Sequence, residues 1–323
     1  MKAALGSGGA RWALGFLALL AALSLLAPLL PLPSPIALSL RGEPGPPVAP
    51  WEELGGEGFR AEYWPLGPLD RRLVELRRSL FGAWQSGPWL GTDSKGRDLL
   101  SRLVWGSRTS LAVGLAAALC SLVIGVLYGA LSGLAGGRVD EAMMRLVDLL
   151  YSLPFVFLVI FALALLEAPR GGWPGISREQ VLYLAIGAVG WLTMARVVRG
   201  QVLSLRESEF VKAARVLGSS TPRILATHVV PNVLPVAAAY LTLTVPSVIL
   251  LEAFLSFLGL GVEPPRVSWG LLAADGVSAL NRIQVSWWLI VFPSAAIAAT
   301  LLALNVLGDA LRDALDVRGR GGV

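Results

Sequence analysis

Cysteine and histidine are almost missing from this chain: Cys120 and His228 stand alone in 323 residues. A single cysteine builds neither an intrachain disulfide framework nor a cysteine metal cluster. A single histidine rules out an HExxH zinc helix and leaves little material for a Ser-His-Asp triad, while a serine-lysine variant stays open. Charge is scarce as well. Only 15% of residues are Asp, Glu, Lys or Arg, against about 25% in a soluble domain. No G-x-x-x-x-G-K-[ST] phosphate cradle occurs, so nucleotide-driven work would need another chain. The net charge of +5 comes from basic residues scattered over short connections rather than gathered in one stripe, which argues against nucleic acid.

What the chain has is length without charge. Thr109 to Gly137 is 29 uncharged residues, Ile283 to Gly308 is 26, and Ile224 to Leu251 is 28 with His228 counted as neutral. A bilayer-spanning helix needs about 20. The spacing predicts six spans: Trp12 to Pro31, then about 109–135, 147–166, 180–198, 233–258 and 286–308. The first run follows Lys2 and Arg11 as a signal peptide would, but no small-x-small site with a mature-looking start stands out after Leu30, so it reads as an uncleaved span, with cleavage as the alternative. The fourth is short, with only Gln180 to Ala195 uncharged; Arg196 and Arg199 extend it by snorkelling.

Four segments result: 1–31, the N-terminal end and first span; 32–108, a long polar segment; 109–308, a five-helix core with a loop at 200–232; and 309–323, a tail. Within 32–108, Leu69, Leu73, Leu76, Leu80 and Trp84 alternate with Arg71, Arg72, Glu75, Arg77 and Arg78. That is an amphipathic helix for a membrane surface, a partner or a small subdomain. A second such pattern, Leu99, Leu100, Leu103, Val104 and Trp105 against Arg97, Arg102 and Arg108, leads into the next span. Trp105 and Arg108 suit the headgroup level. With the N terminus inside, thirteen basic residues of the termini and short loops fall on one side and four on the other. Both termini and the 200–232 loop are therefore expected in the cytoplasm, and 32–108 outside.

In the second span Gly125, Gly129 and Gly133 recur at every fourth position, the pattern of close helix packing. His228 reads as a hydrogen-bonded structural residue. Glu252, inside the fifth span, has two level readings: a functional acid on a pathway, or a helix-to-helix hydrogen bond. Residues 209–223, EFVKAARVLGSSTPR, interrupt two apolar runs. Phe210, Ala213, Ala214 and Leu217 form an apolar helical face beside Glu209, Lys212 and Arg215. Gly218 ends that helix, Thr221 caps a second and Pro222 takes its first turn. A compact helix-turn-helix knob of this kind is shaped to enter a groove on another protein, with a plain connection between spans as the level alternative.

This knob resembles the EAA loop of ATP-binding-cassette import permeases. LGTDSKGRDLLSRLVWGSRTSL at 90–111, LSFLGLGVEPPRVSWGLLAADG at 255–276 and NVLGDALRDALDVR at 305–318 resemble signatures of the dipeptide, oligopeptide and nickel permeases, C-type subunit. The resemblance implies an all-α polytopic membrane protein with the type I importer permease fold, in the bacterial cytoplasmic membrane. It also implies a second homologous permease, two ATPase subunits that bind ATP and magnesium, an external solute-binding protein and no catalysis or metal in this chain. Ala213, Ala214 and Gly218 match the loop's AA and Gly, and Ser219, Ser220, Thr221, Pro222 and Arg223 fall on its coupling helix. Lys212 stands where the family pattern has Glu, and 32–87 is longer than the family needs. Peptides are the expected cargo, with nickel chelates or oligosaccharides as alternatives. Readings outside the family's import role are an exporter permease, an ion-coupled transporter, and an intramembrane enzyme around Glu252 or Asp148.

Overall fold

The computed structural model describes residues 8–36, 67–82, 84–154, 156–157, 160–161, 164, 178–262, 264–280 and 285–320. Its helices are α1 (Gly8–Leu25), α2 (Pro68–Phe81), α3 (Leu99–Ala135), α4 (Gly137–Ser152), α5 (Arg178–Arg206), α6 (Glu209–Val216), α7 (Thr221–Ile224), α8 (Val230–Phe257), α9 (Trp269–Ser278) and α10 (Trp288–Arg320). A 3₁₀ turn, Ala27–Leu29, follows α1, and a π turn, Leu225–Val229, joins α7 to α8. Among the described residues, five stretches are long and apolar enough to cross a membrane: Gly8–Leu25, Leu99–Ala135, Leu182–Arg206, Thr221–Phe257 and Trp288–Asp313. Of the expected 147–166 span, 147–152 belong to α4, which ends at Ser152, and residues 155, 158, 159, 162, 163, 165 and 166 lie outside the described residues. Helix α1 stops at Leu25, short of the expected Pro31, where Pro28 opens the 3₁₀ turn. The chain divides into two compact units, Met1–Arg11 with Val113–Val248 and Leu304–Val323, and Trp12–Ala112 with Ile249–Ala303.

In the first unit α3 and α5 meet backbone to backbone. A Cβ on Gly129 would sit 2.3 Å from the Ala195 carbonyl oxygen, one on Gly125 2.5 Å from Met194 Cβ, and one on Gly133 2.9 Å from Val202 Cβ. Val126, Ala130 and Leu134 of α3 pack there with Met194, Val198 and Val202 of α5. Arg196 and Arg199 have partners within the protein. Both face acids on α4: Arg196 Nη2 donates to Asp148 Oδ1 at 2.7 Å, and Arg199 makes a fork on Asp140 at 2.6 and 2.7 Å. Ser132 of α3 also donates to Asp140. The Arg199 hydrogen bonds hold the Asp140 carboxyl below the usual range. One carboxylate thus ties α3, α4 and α5 together.

The second unit is built around tryptophans. Trp105, Trp269 and Trp288 are buried with Ala27, Val74, Leu99, Val267, Leu272 and Leu289. Each of the latter two indoles has an acceptor: Trp269 Nε1 donates to Leu103 O at 2.9 Å and Trp288 Nε1 to Thr92 O at 3.1 Å. Trp105 is a core residue, enclosed by Val267, Trp269 and their neighbours. Arg102, expected on a polar face, is 1% exposed. Its guanidinium is drawn inward by Asp93, 2.5 Å away, and Asp275, 3.0 Å away.

Candidate functional site

The 209–223 segment begins where α5 ends. Ser208 turns its hydroxyl back to Leu205 O and takes the N-cap place of α6 with extended backbone. Glu209 lies in the first turn and Arg215 in the last, each matching the sign of the helix dipole. After Leu217 the backbone enters the left-handed region at Gly218, φ 79°. Gly218 N donates to Arg215 O and Ser219 N to Ala214 O, the paired bonds of a Schellman motif that satisfy the helix's last carbonyls. The next helix starts at Thr221, so the capping position belongs to Ser220, whose carbonyl accepts from Ile224 N, and not to Thr221. Pro222 lies in its first turn, where no amide donor is needed.

Val211, Ala214 and Ile224 bury themselves with α3, α5 and α8 residues and fix the knob to the first unit. The expected apolar face is therefore rotated. Ala214 alone of Phe210, Ala213, Ala214 and Leu217 is buried, while Val211, absent from that set, is fully buried. Phe210 at 44%, Val216 at 88% and Leu217 at 84% stay exposed. The signal for Val216 was its position off the buried arc, which the Phe210-Leu217 spacing obscured. Lys212 has acids of its own chain nearby, Glu207 at 3.9 Å and Glu209 at 3.8 Å. The His228 ring lies 6.1 Å from that of Phe210, and the His228 carbonyl accepts from Asn232 Nδ2.

Glu252 is fully buried in the second unit. Ser256 Oγ donates to its Oε1 at 2.7 Å and Ser110 Oγ to its Oε2 at 3.3 Å. Ser110 Oγ in turn accepts from Trp269 N at 3.1 Å and Ser256 Oγ from Val262 N at 3.4 Å. Each hydroxyl already receives an N–H, so its own hydrogen is directed at the carboxyl group. The geometry joins α3, α8 and the approach to α9.

The same two stretches meet a second time through charge. Arg97 and Arg102 of 90–111 reach Asp275 of 255–276, and both also reach Asp93. Asp93 Oδ1 accepts from Lys95 N and Arg97 N, closing the turn before α3. Asp98 then caps α3 by accepting from Leu100 N at 3.0 Å. Burial pushes the Asp98 carboxyl up to about 7. Among the described residues no group of three or more His, Cys, Asp or Glu is arranged to hold a metal ion.

Residues 121–321 match the family described as binding-protein-dependent transport system inner membrane component. The chain is similar to the oligopeptide transport system permease protein OppC of Haemophilus influenzae, 47% identical over 232 residues, covering 72% of this chain and 71% of that one. It is also similar to OppC of Escherichia coli, 50% identical over 73% of this chain and 74% of the other. The dipeptide transport system permease protein DppC of Bacillus subtilis is 43% identical over 72% and 69%. Among solved structures, a chain of the inward-facing MetNI methionine ABC transporter aligns with TM-score 0.52 at 18% identity, over 66% of this chain and 95% of that one. At that identity the likeness concerns the fold alone.

Proposed function

Because the chain belongs to the family of binding-protein-dependent transport inner-membrane components, we propose that it is the permease subunit of an ATP-driven importer of peptides. The likeness to oligopeptide and dipeptide permeases across nearly three quarters of the chain carries that reading. Such a subunit is a transport component and not an enzyme. It works in a membrane with another permease, ATPases and a binding protein. We assign it half of a translocation pathway, in a heterodimer with a homologous permease, above two ATPases that hold ATP and magnesium. Both termini and the 209–223 knob face those ATPases on the cytoplasmic side.

The role of the knob rests on its division of labour. Val211, Ala214 and Ile224 anchor it, while Phe210, Val216 and Leu217 present an apolar tip with Lys212, Arg215 and Arg223 around it. Exposed apolar side chains on a short helix are what a groove on a soluble subunit recognises. Closure of the ATPases would move the knob and, through its anchors, α3, α5 and α8. Co-purification of the ATPases with the permease tests this. Val216→Asp with Leu217→Asp, both at exposed positions, should insert normally, lose the ATPases and lose peptide uptake. Undiminished co-purification would overturn the docking assignment.

A further inference from the structure

Helix α2 is amphipathic, but it is turned the opposite way to an ordinary surface helix. Its buried residues are Asp70, Val74 and Arg77, whereas Leu69 is 65% exposed, Leu76 47% and Leu80 61%. At about 100° per residue, three faces follow. Leu69, Leu73, Leu76 and Leu80 fall within roughly 60° of arc; the protein-facing residues lie about 100° round from their centre; Arg71, Glu75 and Arg78 fill the far side. A helix with one flank on protein, an apolar face at right angles to it and a charged face opposite is shaped to lie in a membrane surface.

Its neighbours set its level. Val74 packs in the cluster that holds Ala27 of the 3₁₀ turn, the point where α1 ends its apolar run. Asp70 Oδ1 accepts from Arg108 Nη2 at 2.8 Å. Arg108 is the last charged residue before the 29 uncharged residues of α3 and its continuation. The first turn of α2 is thus tied to the place where one spanning helix leaves the hydrocarbon and another enters it. Charge agrees: the exposed ionisable residues of α2 are Arg71, Arg72, Arg78 and Glu75, and Arg72 borders the leucine face. That suits lipid phosphates. Phe81 and Trp84, 39% and 43% exposed with rings 6.2 Å apart, continue the apolar surface beyond the helix.

We propose that α2 is an interfacial helix whose leucine face sits between the lipid headgroups and the acyl chains, so that the bilayer surface, not another protein, is its partner. The inference needs the chain to span a bilayer and is independent of the cargo. Nitroxides placed singly at Leu76, Leu80, Arg71 and Arg78, in a Cys120→Ala background, test it by power saturation. The complete transporter is reconstituted in vesicles of phosphatidylethanolamine and phosphatidylglycerol for the measurement. At 76 and 80, relaxation by oxygen should exceed relaxation by a water-soluble nickel chelate several-fold, and the order should reverse at 71 and 78. Nickel reaching 76 and 80 as freely as 71 and 78 would place the face in water and overturn the proposal. Immobile labels at 76 and 80 shielded from both reagents would show a protein cover, whether another subunit, a second copy or residues 37–66, and would overturn it equally.

Discussion

Gly129→Ala adds one methyl group where the structure leaves no room for it. That carbon would stand 2.3 Å from the Ala195 carbonyl oxygen and 3.0 Å from both Arg199 N and Val198 Cβ. An ordinary carbon-to-oxygen contact is about 1 Å longer than the first of these. The obstacle is backbone, which cannot rotate away, so α3 and α5 must separate over several turns. Overpacking of this kind costs about 1–3 kcal/mol. Gly200 provides the control: it lies in α5 as well, and a Cβ there meets nothing within 4 Å. Alanine at that site removes backbone freedom from the unfolded chain and should be neutral or stabilising by about 0.5–1 kcal/mol. Thermal unfolding in one detergent, followed by loss of the monodisperse chromatographic peak, compares the two. Gly129→Ala should lower the midpoint by a few degrees and Gly200→Ala should not. Equal midpoints for both variants, or a larger loss at Gly200, would refute the close-approach reasoning.

Two further predictions concern acids. Asp98 is buried and its carboxyl stands at about 7 rather than the ordinary 3.8, so the folded state holds its proton more tightly than the unfolded one. Stability should therefore fall as pH rises from about 4 to about 7, and Asp98→Asn, which keeps the cap, should remove that slope and gain on the order of 2–4 kcal/mol at pH 8. Unfolding midpoints from pH 4 to 8 measure it, and parallel curves for the two proteins would refute it. Asp140 has the opposite sign, because Arg199 holds it below the usual range: its contribution is complete above about pH 4 and is lost as pH drops through its lowered value. With Arg199 34% exposed, Asp140→Asn should cost about 1–3 kcal/mol at pH 7, and the gap to the parent should narrow near pH 3.

The spanning helices were legible because uncharged length is a property of the sequence itself, and the stretches around 109–135 and 286–308 reappear inside α3 and α10. Glycine at every fourth position likewise carried its own geometry. What local pattern could not provide was the direction a helix faces when charges find partners far along the chain. Arg102 reads as a polar-face residue until Asp275, 173 positions away, is brought beside it. Asp70 and Arg77 of α2 are buried although their helix offers four leucines, since Arg108 and the turn after α1 claim the other flank. The knob shows the same limit on a small scale. Its turn was fixed by Gly218, but Val211 rather than Phe210 faces inward because the core residues of α3, α5 and α8 approach from that side.

The contact between α3 and α5 has a mechanical consequence. At Gly125, Gly129 and Gly133 the nearest atoms include the Trp191, Ala195 and Arg199 carbonyl oxygens. Side chains between helices act as compliant springs, because rotamers absorb small displacements; where backbones touch there is little to compress. The glycine-lined stretch therefore behaves as a stiff double strut. Its α5 member runs on to Arg206, three residues before α6 begins. A force applied at the knob would pass along α5 and be shared with α3.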